Sequence, residues 1–191
     1  MRPGNALLLL AISSALLPLA SPRTVPHGGF PPSPTAPRKP PVDPRVIPFC
    51  NQTDHPKICI KSARFYSHAY QAINATNMFD ITIHALRDRV ASIKARAHAL
   101  SQSQTWNEVV LNGIHDCLGL YADALDDVNE GVQAFVTRDR GTFETRLSAV
   151  ITMFGTCDDA FMEGVNPLAK QNDRLMNMAS NCIAIGQLSF Q

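Results

Sequence analysis

The sequence lacks the residue arrangements on which most catalytic sites are built. Its six histidines form no pair with the spacing of a metal-binding helix or a zinc finger, which argues against a metal site. No serine lies in a nucleophile elbow, and no glycine-rich loop precedes a helix to hold phosphate. Paired carboxylates such as Asp126-Asp127 and Asp158-Asp159 fall on predicted helix surfaces, without a cleft that would raise their pKa. We therefore predict a protein that is not an enzyme and needs no cofactor.

Long apolar runs are also missing, except at the N-terminus. Residues 1–20 carry one basic residue, Arg2, ahead of the run ALLLLAI, and they end at Ala20. This pattern is typical of a secretory signal peptide. The alternative, a membrane anchor, is weaker because the run is short and is interrupted by serines and Pro18. The sequence therefore predicts a secreted protein with no membrane span, in an oxidising compartment where cysteines pair.

Core-forming residues are scarce in the next segment, 21–49, which holds ten of the 14 prolines. Such a composition predicts an extended or disordered linker, because it buries too little apolar surface to offset ordering. The linker has a net charge of +3, whereas the domain that follows it, 50–191, has −3. The near-neutral total thus hides a basic linker on an acidic domain. Such a linker is in most cases a solvated spacer.

Apolar residues in 77–188 recur in steps of three and four. The four stripes are Phe79, Ile83, Leu86, Val90, Ile93, Ala97 and Leu100; Val110, Ile114, Cys117, Tyr121, Ala124, Val128, Val132 and Phe135; Phe143, Leu147, Val150, Phe154, Cys157 and Phe161; and Leu168, Leu175, Met178, Cys182 and Ile185, with one turn missing at Gln171. Four such stripes indicate four amphipathic helices. The predicted starts are Asn77, a Thr105–Glu108 capping box, and Asn166 followed by Pro167. Short connections near 101–104, 137–141 and 163–166 predict an all-α, up-down-up-down four-helix bundle.

Two of the five cysteines lie on facing stripes of this bundle. Cys117 and Cys157 are each 20 residues from position 137, in the predicted turn between the second and third helices. In antiparallel helices both would lie about 30 Å from the turn, level with each other. We therefore predict a Cys117–Cys157 disulfide, which stabilises the fold by about 4 kcal/mol in the chain-entropy model.

Of the other three cysteines, two are close in sequence and can pair with each other, and one is left unpaired. Cys50 and Cys59 bracket a turn-forming stretch, so we predict a second disulfide that ties a short helical segment, about 57–73, to the incoming chain. Cys182 is left over on the inner stripe of the fourth helix. We predict that it is a buried free thiol rather than a reactive one, because nothing basic surrounds it.

Lysine and arginine are absent from Ala97 to Thr137, where aspartate and glutamate carry the charge. The helical spacing of Asp123, Asp126, Asp127 and Glu130 predicts one shared exposed face, which Asp158, Asp159 and Glu163 extend on the adjacent helix. One interpretation is a solvated acidic surface. The other is a surface that docks onto a basic partner by charge complementarity.

Two acceptor sequons for N-linked glycans lie in predicted connecting stretches. They are Asn51-Gln52-Thr53 and Asn74-Ala75-Thr76. In a secreted protein we expect both Asn51 and Asn74 to carry a glycan.

Three stretches of the sequence resemble one known family. CNQTDHPKIC, IHDCLGLYADALDDV and LSAVITMFGTCDDAF are similar to segments of the plant pectin methylesterase inhibitor and invertase inhibitor family, and the resemblance covers about residues 50–188. It implies a four-helix bundle at about 77–188 with an N-terminal helical hairpin at about 50–75, and the two disulfides predicted above. It also implies a non-catalytic protein that covers the cleft of a secreted carbohydrate-active enzyme.

Within the family, the resemblance favours the pectin methylesterase branch. Gly141-Thr142-Phe143 stands where invertase inhibitors often have Pro-Lys-Phe, and LSAVIT is close to the Leu-Ser-Ala-Ala-Leu-Thr of the esterase branch. The chain departs from the family at His55, where tyrosine is common, and at Gly119, where glutamate is common.

The resemblance implies a partner and a contact surface. The expected partner is pectin methylesterase in a 1:1 complex in the extracellular space of the cell wall, the apoplast, and the second and third bundle helices provide the contacts. The implied contact residues are Asp123, Asp126, Thr156 and Asp159. Two alternatives stay open: inhibition of a cell-wall or vacuolar invertase, or a non-inhibitory module whose basic linker holds pectin. Neither a nucleic acid nor a membrane is expected as a partner.

Overall fold

A computed structural model describes residues 39–161 and 164–191. The predicted signal peptide, 1–20, and the linker up to residue 38 lie outside the described residues, as does Glu163 of the predicted acidic face. None of the helices in the described part of the chain is long and apolar enough to cross a membrane.

The described residues form helices and connections, with no strand among them. The α-helices are α1 (Ile47–Cys50), α2 (Pro56–Ala63), α3 (Ala75–Ser101), α4 (Glu108–Val136), α5 (Arg140–Asp159) and α6 (Ala169–Gln187), and short 3₁₀ helices span Pro44–Val46 and Ser67–Ala69. Helix α4 packs on α3 and α5, and α6 packs on α5 and α3, so the four long helices close a bundle. The predicted all-α bundle with two disulfides is confirmed.

The core of the bundle is made from the stripes that the sequence predicted. Nearly every stripe residue is buried, and Tyr121, Phe143 and Phe154 are among the largest side chains with no exposed surface. Leu100 and Val132, near helix ends, are only partly buried against this core. Because burial follows the three-and-four spacing, apolar burial explains why these segments fold as helices.

Two helices start at residues other than those predicted. Asn74, not Asn77, caps α3: its side-chain oxygen accepts a hydrogen bond from the Asn77 backbone N–H at 2.8 Å. Asn107, not Thr105, caps α4 and accepts from the Val110 N–H at 3.0 Å. Asparagine and threonine are both good N-caps, so several candidates stood within one turn of each start.

The last helix also starts later than predicted. Helix α6 begins at Ala169, beyond the predicted Asn166-Pro167 start. The Asn166 side chain still accepts from the Leu168 backbone N–H at 2.8 Å. It therefore orders the turn that leads into α6 rather than the first turn of the helix itself.

The turn between α4 and α5 holds an unusual backbone conformation. Arg138 has a φ of 62°, in the left-handed region that favours glycine. The Asp139 N–H donates to the Ala134 carbonyl at 2.8 Å and the Arg138 N–H to Phe135 at 3.2 Å, which is a Schellman motif. Asp139 then caps α5 by accepting from the Thr142 N–H. One tight turn therefore makes α4 and α5 antiparallel neighbours.

The chain becomes helical earlier than the predicted linker boundary at residue 49. Residues 44–50 are helical, so the expected extended linker is wrong for this end of the segment. Asp43 caps the first turn, and Arg45 pairs with Asp43 at 2.7 Å and donates to the Gln71 carbonyl. The Arg45 guanidinium holds the pKa of Asp43 at about 2. Arg45 is thus part of the folded domain and not a free linker cation.

The predicted helical segment 57–73 is shorter than expected. Helix α2 ends at Ala63, and a 3₁₀ turn and irregular chain continue to α3. Asn181 of α6, which is buried, holds this region on the bundle: its amide oxygen accepts from the His55 N–H at 3.2 Å and its amide nitrogen donates to the His55 carbonyl at 3.1 Å. Both backbone polar groups of one residue are satisfied by one side chain.

Candidate functional site

The candidate site lies on α4 and α5, and a disulfide fixes these two helices against each other. Cys117 and Cys157 are both fully buried, and their Cα atoms are 4.8 Å apart across a sequence separation of 40. Small residues allow the close approach: a Cβ at Gly131 would stand 3.2 Å from the Leu147 side chain. The disulfide therefore sets the register between the two helices.

A partly buried polar cluster surrounds this disulfide. The Asn172 amide nitrogen donates to the Asp158 carboxylate at 2.6 Å and lies 3.0 Å from the Cys157 sulfur. The Tyr121 hydroxyl donates to the Asn172 amide oxygen, and the Asn166 amide donates to Asp158 at 2.7 Å. Burial and the nearby Asp158 charge raise the pKa of Tyr121, although the Asn172 hydrogen bond acts in the opposite sense. The tyrosine is therefore neutral, and the cluster ties α4, α5 and α6 together.

All four predicted contact residues are exposed to solvent. Asp123 and Asp126 lie on α4, and Thr156 and Asp159 lie on α5. We call the surface that they define the α4–α5 face. The Thr156 hydroxyl donates to the Thr152 carbonyl at 3.0 Å, which leaves the lone pairs of its oxygen free to accept. The face thus offers carboxylates and a hydroxyl acceptor.

The disulfide register gives the dimensions of this face. Taking Cys117 as level with Cys157, Asp123 and Thr156 are offset by five residues along the axis, or about 8 Å. Asp126 and Asp159 are offset by eleven residues, or about 16 Å. The four side chains thus span roughly three helical turns along the α4–α5 pair.

The structure corrects the predicted membership of the acidic face. Asp127 is buried and pairs with Arg146 of α5 at 2.9 Å, and Glu130 pairs with the same guanidinium at 2.8 Å. Asp127 follows Asp126 directly, so the two side chains point about 100° apart. The acidic stretch is therefore divided: Asp127 and Glu130 hold α5, whereas Asp123 and Asp126 make no salt bridge within the described residues.

Sequence reasoning missed the polar residues that support this face. The predicted stripe of α6 lacks one turn at Gln171; the buried polar residue of that turn is the next one, Asn172, and the gap was the available signal. Arg146 gave no such signal, because its partners are on another helix. No group of three or more histidine, cysteine, aspartate or glutamate side chains suited to a metal ion occurs in 39–161 or 164–191.

Comparisons with known proteins agree on one family. A family model described as plant invertase/pectin methylesterase inhibitor matches residues 46–185. Two curated relatives named "Putative invertase inhibitor", from Platanus acerifolia and Platanus orientalis, are each 33% identical over 78 residues, which is 39% of this chain. The match spans 44% and 46% of those two proteins, less than half of their length.

A longer curated protein and two crystal structures are also similar. "Probable pectinesterase/pectinesterase inhibitor 17" from Arabidopsis thaliana is 26% identical over 149 residues, which is 76% of this chain and 29% of that protein. A crystal structure of a mutant pectin methylesterase inhibitor from Arabidopsis has a TM-score of 0.60 at 16% identity and covers 72% of this chain and 92% of its own. A second, from Arabidopsis thaliana, has a TM-score of 0.55 at 15% identity, with 74% and 93% covered. At these identities the two structures show the fold alone.

Proposed function

The chain belongs to the plant invertase/pectin methylesterase inhibitor family, and from this premise we propose that it inhibits pectin methylesterase in a 1:1 complex. The family consists of inhibitor proteins, not enzymes. One observation carries the proposal: Asp123, Asp126, Thr156 and Asp159 are all exposed on the two helices that the Cys117–Cys157 disulfide joins. A rigid surface loses little conformational entropy when a partner covers it.

The chemistry of the α4–α5 face suits a basic rim around an enzyme cleft. Its carboxylates would steer the encounter and fix the register by charge complementarity. The hydroxyl of Thr156 would accept a hydrogen bond at the edge of the contact. Gly119, which is also exposed on α4, leaves an open space there, since a Cβ at this position would meet no atom within 4 Å.

A second target is favoured by the curated relatives. The two Platanus proteins are named as invertase inhibitors, and their 33% identity over 78 residues exceeds the 26% of the pectinesterase-containing relative. The sequence at Gly141-Thr142-Phe143 and the LSAVIT stretch favour pectin methylesterase instead. We therefore place the esterase first and invertase second, and the same assay is to be run on both enzymes.

We also propose the maturation and location of the protein. Residues 1–20 would be removed as a signal peptide, the linker from residue 21 would lead to an inhibitor domain whose folded part already includes the helical residues 44–50, and the protein would act outside the cell in the plant wall. Asn51 and Asn74 are both exposed, which suits glycan attachment. The Asn74 side-chain oxygen caps α3, and its amide nitrogen, the atom that would carry the glycan, has no hydrogen-bond partner among the described residues.

The experiment that tests the function reverses the charge of the face. One rim charge contributes about 0.2 to 1 kcal/mol, so a single neutral substitution could pass unnoticed. Asp123→Lys with Asp126→Lys also adds repulsion, and we expect inhibition of pectin methylesterase to weaken by more than about tenfold, or about 1.4 kcal/mol. Inhibition by the parent should also fall as salt rises, because exposed charges are screened over about 8 Å.

The matched control carries the same charge change elsewhere. Asp54→Lys with Asp173→Lys alters two exposed aspartates on the α1–α2 connection and on α6, and we expect it to inhibit like the parent. Circular dichroism and melting temperature must show that both double variants are folded. A folded Asp123→Lys, Asp126→Lys protein that inhibits as well as the parent would reject the α4–α5 face as the contact surface.

A further inference from the structure

Five cations surround a groove on the side of the bundle formed by α2, α3 and α6. Two depressions, of about 230 and 570 Å³, adjoin there and share Lys61, Arg89 and Arg174 in their walls. Lys57 and Lys170 line the larger one. We call this surface the basic groove. The cations come from three helices, so the fold alone brings them together.

The charge of the basic groove is poorly balanced. None of its five cations takes part in a salt bridge in the described part of the chain. The groove has two carboxylates, Asp88 and Asp173. Asp88 accepts a hydrogen bond from the Tyr66 hydroxyl at 2.6 Å instead of pairing with a cation. A net positive surface results, which attracts anions.

The two arginines of the groove have unused donors. The Nε atoms of Arg89 and Arg174 have no hydrogen-bond partner among the described residues, and because both atoms are buried, a ligand in the groove would reach these side chains through their terminal nitrogens. Burial, and then the nearby charges of Arg174 and Arg96, lower the pKa of Arg89. A bound anion would reduce the repulsion between these like charges. A guanidinium can bind a carboxylate through two parallel hydrogen bonds.

An aromatic ring stands beside these cations. Phe65 lines the smaller depression and is 54% exposed, although phenylalanine side chains are more often buried in the core. A pyranose ring has apolar C–H faces, so an exposed phenyl ring next to guanidinium groups suits a sugar that carries acid groups. Neither an isolated inorganic anion nor an all-phosphate chain has an apolar face that would pack against the phenyl ring of Phe65.

We propose that the basic groove binds a linear acidic polysaccharide, with uronic acid carboxylates at Arg89 and Arg174 and a sugar ring against Phe65. The two disulfides are typical of proteins outside the reducing cytosol, where polysaccharides of this kind occur. The groove is formed by α2, α3 and α6, so this binding is separate from inhibition through α4 and α5. It is a second function of the same domain.

The test is calorimetric titration of the full, disulfide-intact protein with decagalacturonate and with its fully methyl-esterified form. We expect the esterified chain to bind at least about tenfold more weakly, because each ester removes the charge that a guanidinium recognises. Arg89→Gln with Arg174→Gln should raise the Kd for decagalacturonate by about tenfold or more, and Phe65→Ala by about threefold. Added salt should weaken binding of the parent.

Two further variants serve as a control outside the groove and as a second test of the groove itself. Arg138→Gln with Arg140→Gln removes two exposed cations at the α4–α5 turn and should leave the Kd within about twofold of the parent. Lys57→Gln with Lys61→Gln changes only exposed groove residues, so it still tests the groove if the arginine variant does not fold. Equal binding of the esterified chain, an equal loss in the Arg138 and Arg140 control, or equally tight binding of a polyphosphate would each overturn the proposal.

Discussion

At the scale of single residues, glycines within the helices show how one missing side chain decides packing. A Cβ on Gly186 of α6 would come within 2.3 Å of the Phe143 ring. Phe143 is fully buried and packs edge to face on Phe79, with centroids 5.5 Å apart, so its ring has little room to move. Gly119 of α4 is exposed, and a Cβ there meets nothing within 4 Å. The same residue type is thus required at one position and replaceable at the other.

We therefore expect opposite effects from the same substitution at these two positions. Gly186→Ala should lower the free energy of unfolding by about 1 to 3 kcal/mol, because the added methyl overpacks the core. Gly119→Ala should raise it by about 1 kcal/mol, because alanine favours a helix more than glycine does. Thermal and urea unfolding followed by circular dichroism measure both changes. Stabilisation by Gly186→Ala would contradict the close contact with Phe143.

The free cysteine gives a second prediction at this scale. Cys182 is fully buried, and burial raises the pKa of its thiol to about 12, partly offset by a hydrogen bond with Thr82. Only the thiolate reacts with iodoacetamide. We expect Cys182 to stay unmodified in the native protein at mildly alkaline pH and to be alkylated in guanidinium without reductant. Non-reducing peptide mapping reports both states, and alkylation of native Cys182 at the rate of a free thiol would refute its burial.

At the scale of elements, the two disulfides connect the chain over different distances. Cys50–Cys59 closes a separation of nine residues between α1 and α2. Cys117–Cys157 closes a separation of 40 between α4 and α5. The chain-entropy model assigns about 3 kcal/mol to the first and about 4 kcal/mol to the second. The second also supports the polar cluster around Asn172.

We predict that removal of the two disulfides has unequal consequences. Cys117→Ala with Cys157→Ala should reduce the free energy of unfolding by about 4 kcal/mol, whereas Cys50→Ala with Cys59→Ala should cost about 3 kcal/mol. The second variant should also open α1 and α2 locally, which hydrogen exchange of their amides would detect. If instead the Cys50–Cys59 variant were the less stable of the two, docking of the N-terminal segment, and not chain entropy, would dominate.

The sequence predicted the helices well because their signal is spread over whole stripes. Each stripe has at least five apolar positions, so a few ambiguous residues leave the period intact. Helix starts depend on single residues: Asn77 was predicted as the cap of α3, but an asparagine at position 74 serves equally well. Only the observed hydrogen bond of Asn74 distinguishes them. The existence of an element is therefore more predictable than its first residue.

The candidate site was predictable in part for the same reason. Helical spacing identified Asp123 and Asp126 as exposed, and both are. The spacing also grouped Asp127 with them, but its charge is used by Arg146, which lies 19 residues further along the chain. Asn181 was missed because its partner is the backbone of His55, 126 residues away. Polar contacts between elements are not periodic, and a one-dimensional pattern cannot report them.

At the scale of the whole molecule, charges of opposite sign lie on opposite sides of the bundle. Helices α4 and α5 carry the exposed acids of the α4–α5 face. Helices α3 and α6, the other adjacent pair of the bundle, carry Arg89 and Arg174 of the basic groove. The sequence indicated a basic linker on an acidic domain, yet within the domain itself the acidic and basic residues form separate surfaces. The two surfaces share no residue, so they can act on different partners.

We predict that the two surfaces can be inactivated separately. Substitutions more than about 7 to 10 Å apart, without shared partners, act independently to within about 0.5 kcal/mol, or about twofold in affinity. The Arg89→Gln, Arg174→Gln protein should therefore inhibit pectin methylesterase like the parent while it loses decagalacturonate binding. The Asp123→Lys, Asp126→Lys protein should bind decagalacturonate like the parent while it loses inhibition.

Measuring both enzyme inhibition and decagalacturonate binding for each variant distinguishes a failure of the inhibition proposal from a failure of the groove proposal. Loss of inhibition in the folded arginine variant would mean that α3 and α6 also touch the enzyme, because the substitutions leave every residue of the α4–α5 face in place. Added lysines make the domain more basic, so tighter oligosaccharide binding by the folded aspartate variant would mean that the sugar chain follows the long-range field of the whole domain and not the local groove. Loss of oligosaccharide binding in that variant would mean that the sugar chain also contacts α4. An unchanged Kd in the aspartate variant is therefore the result that only a local site predicts.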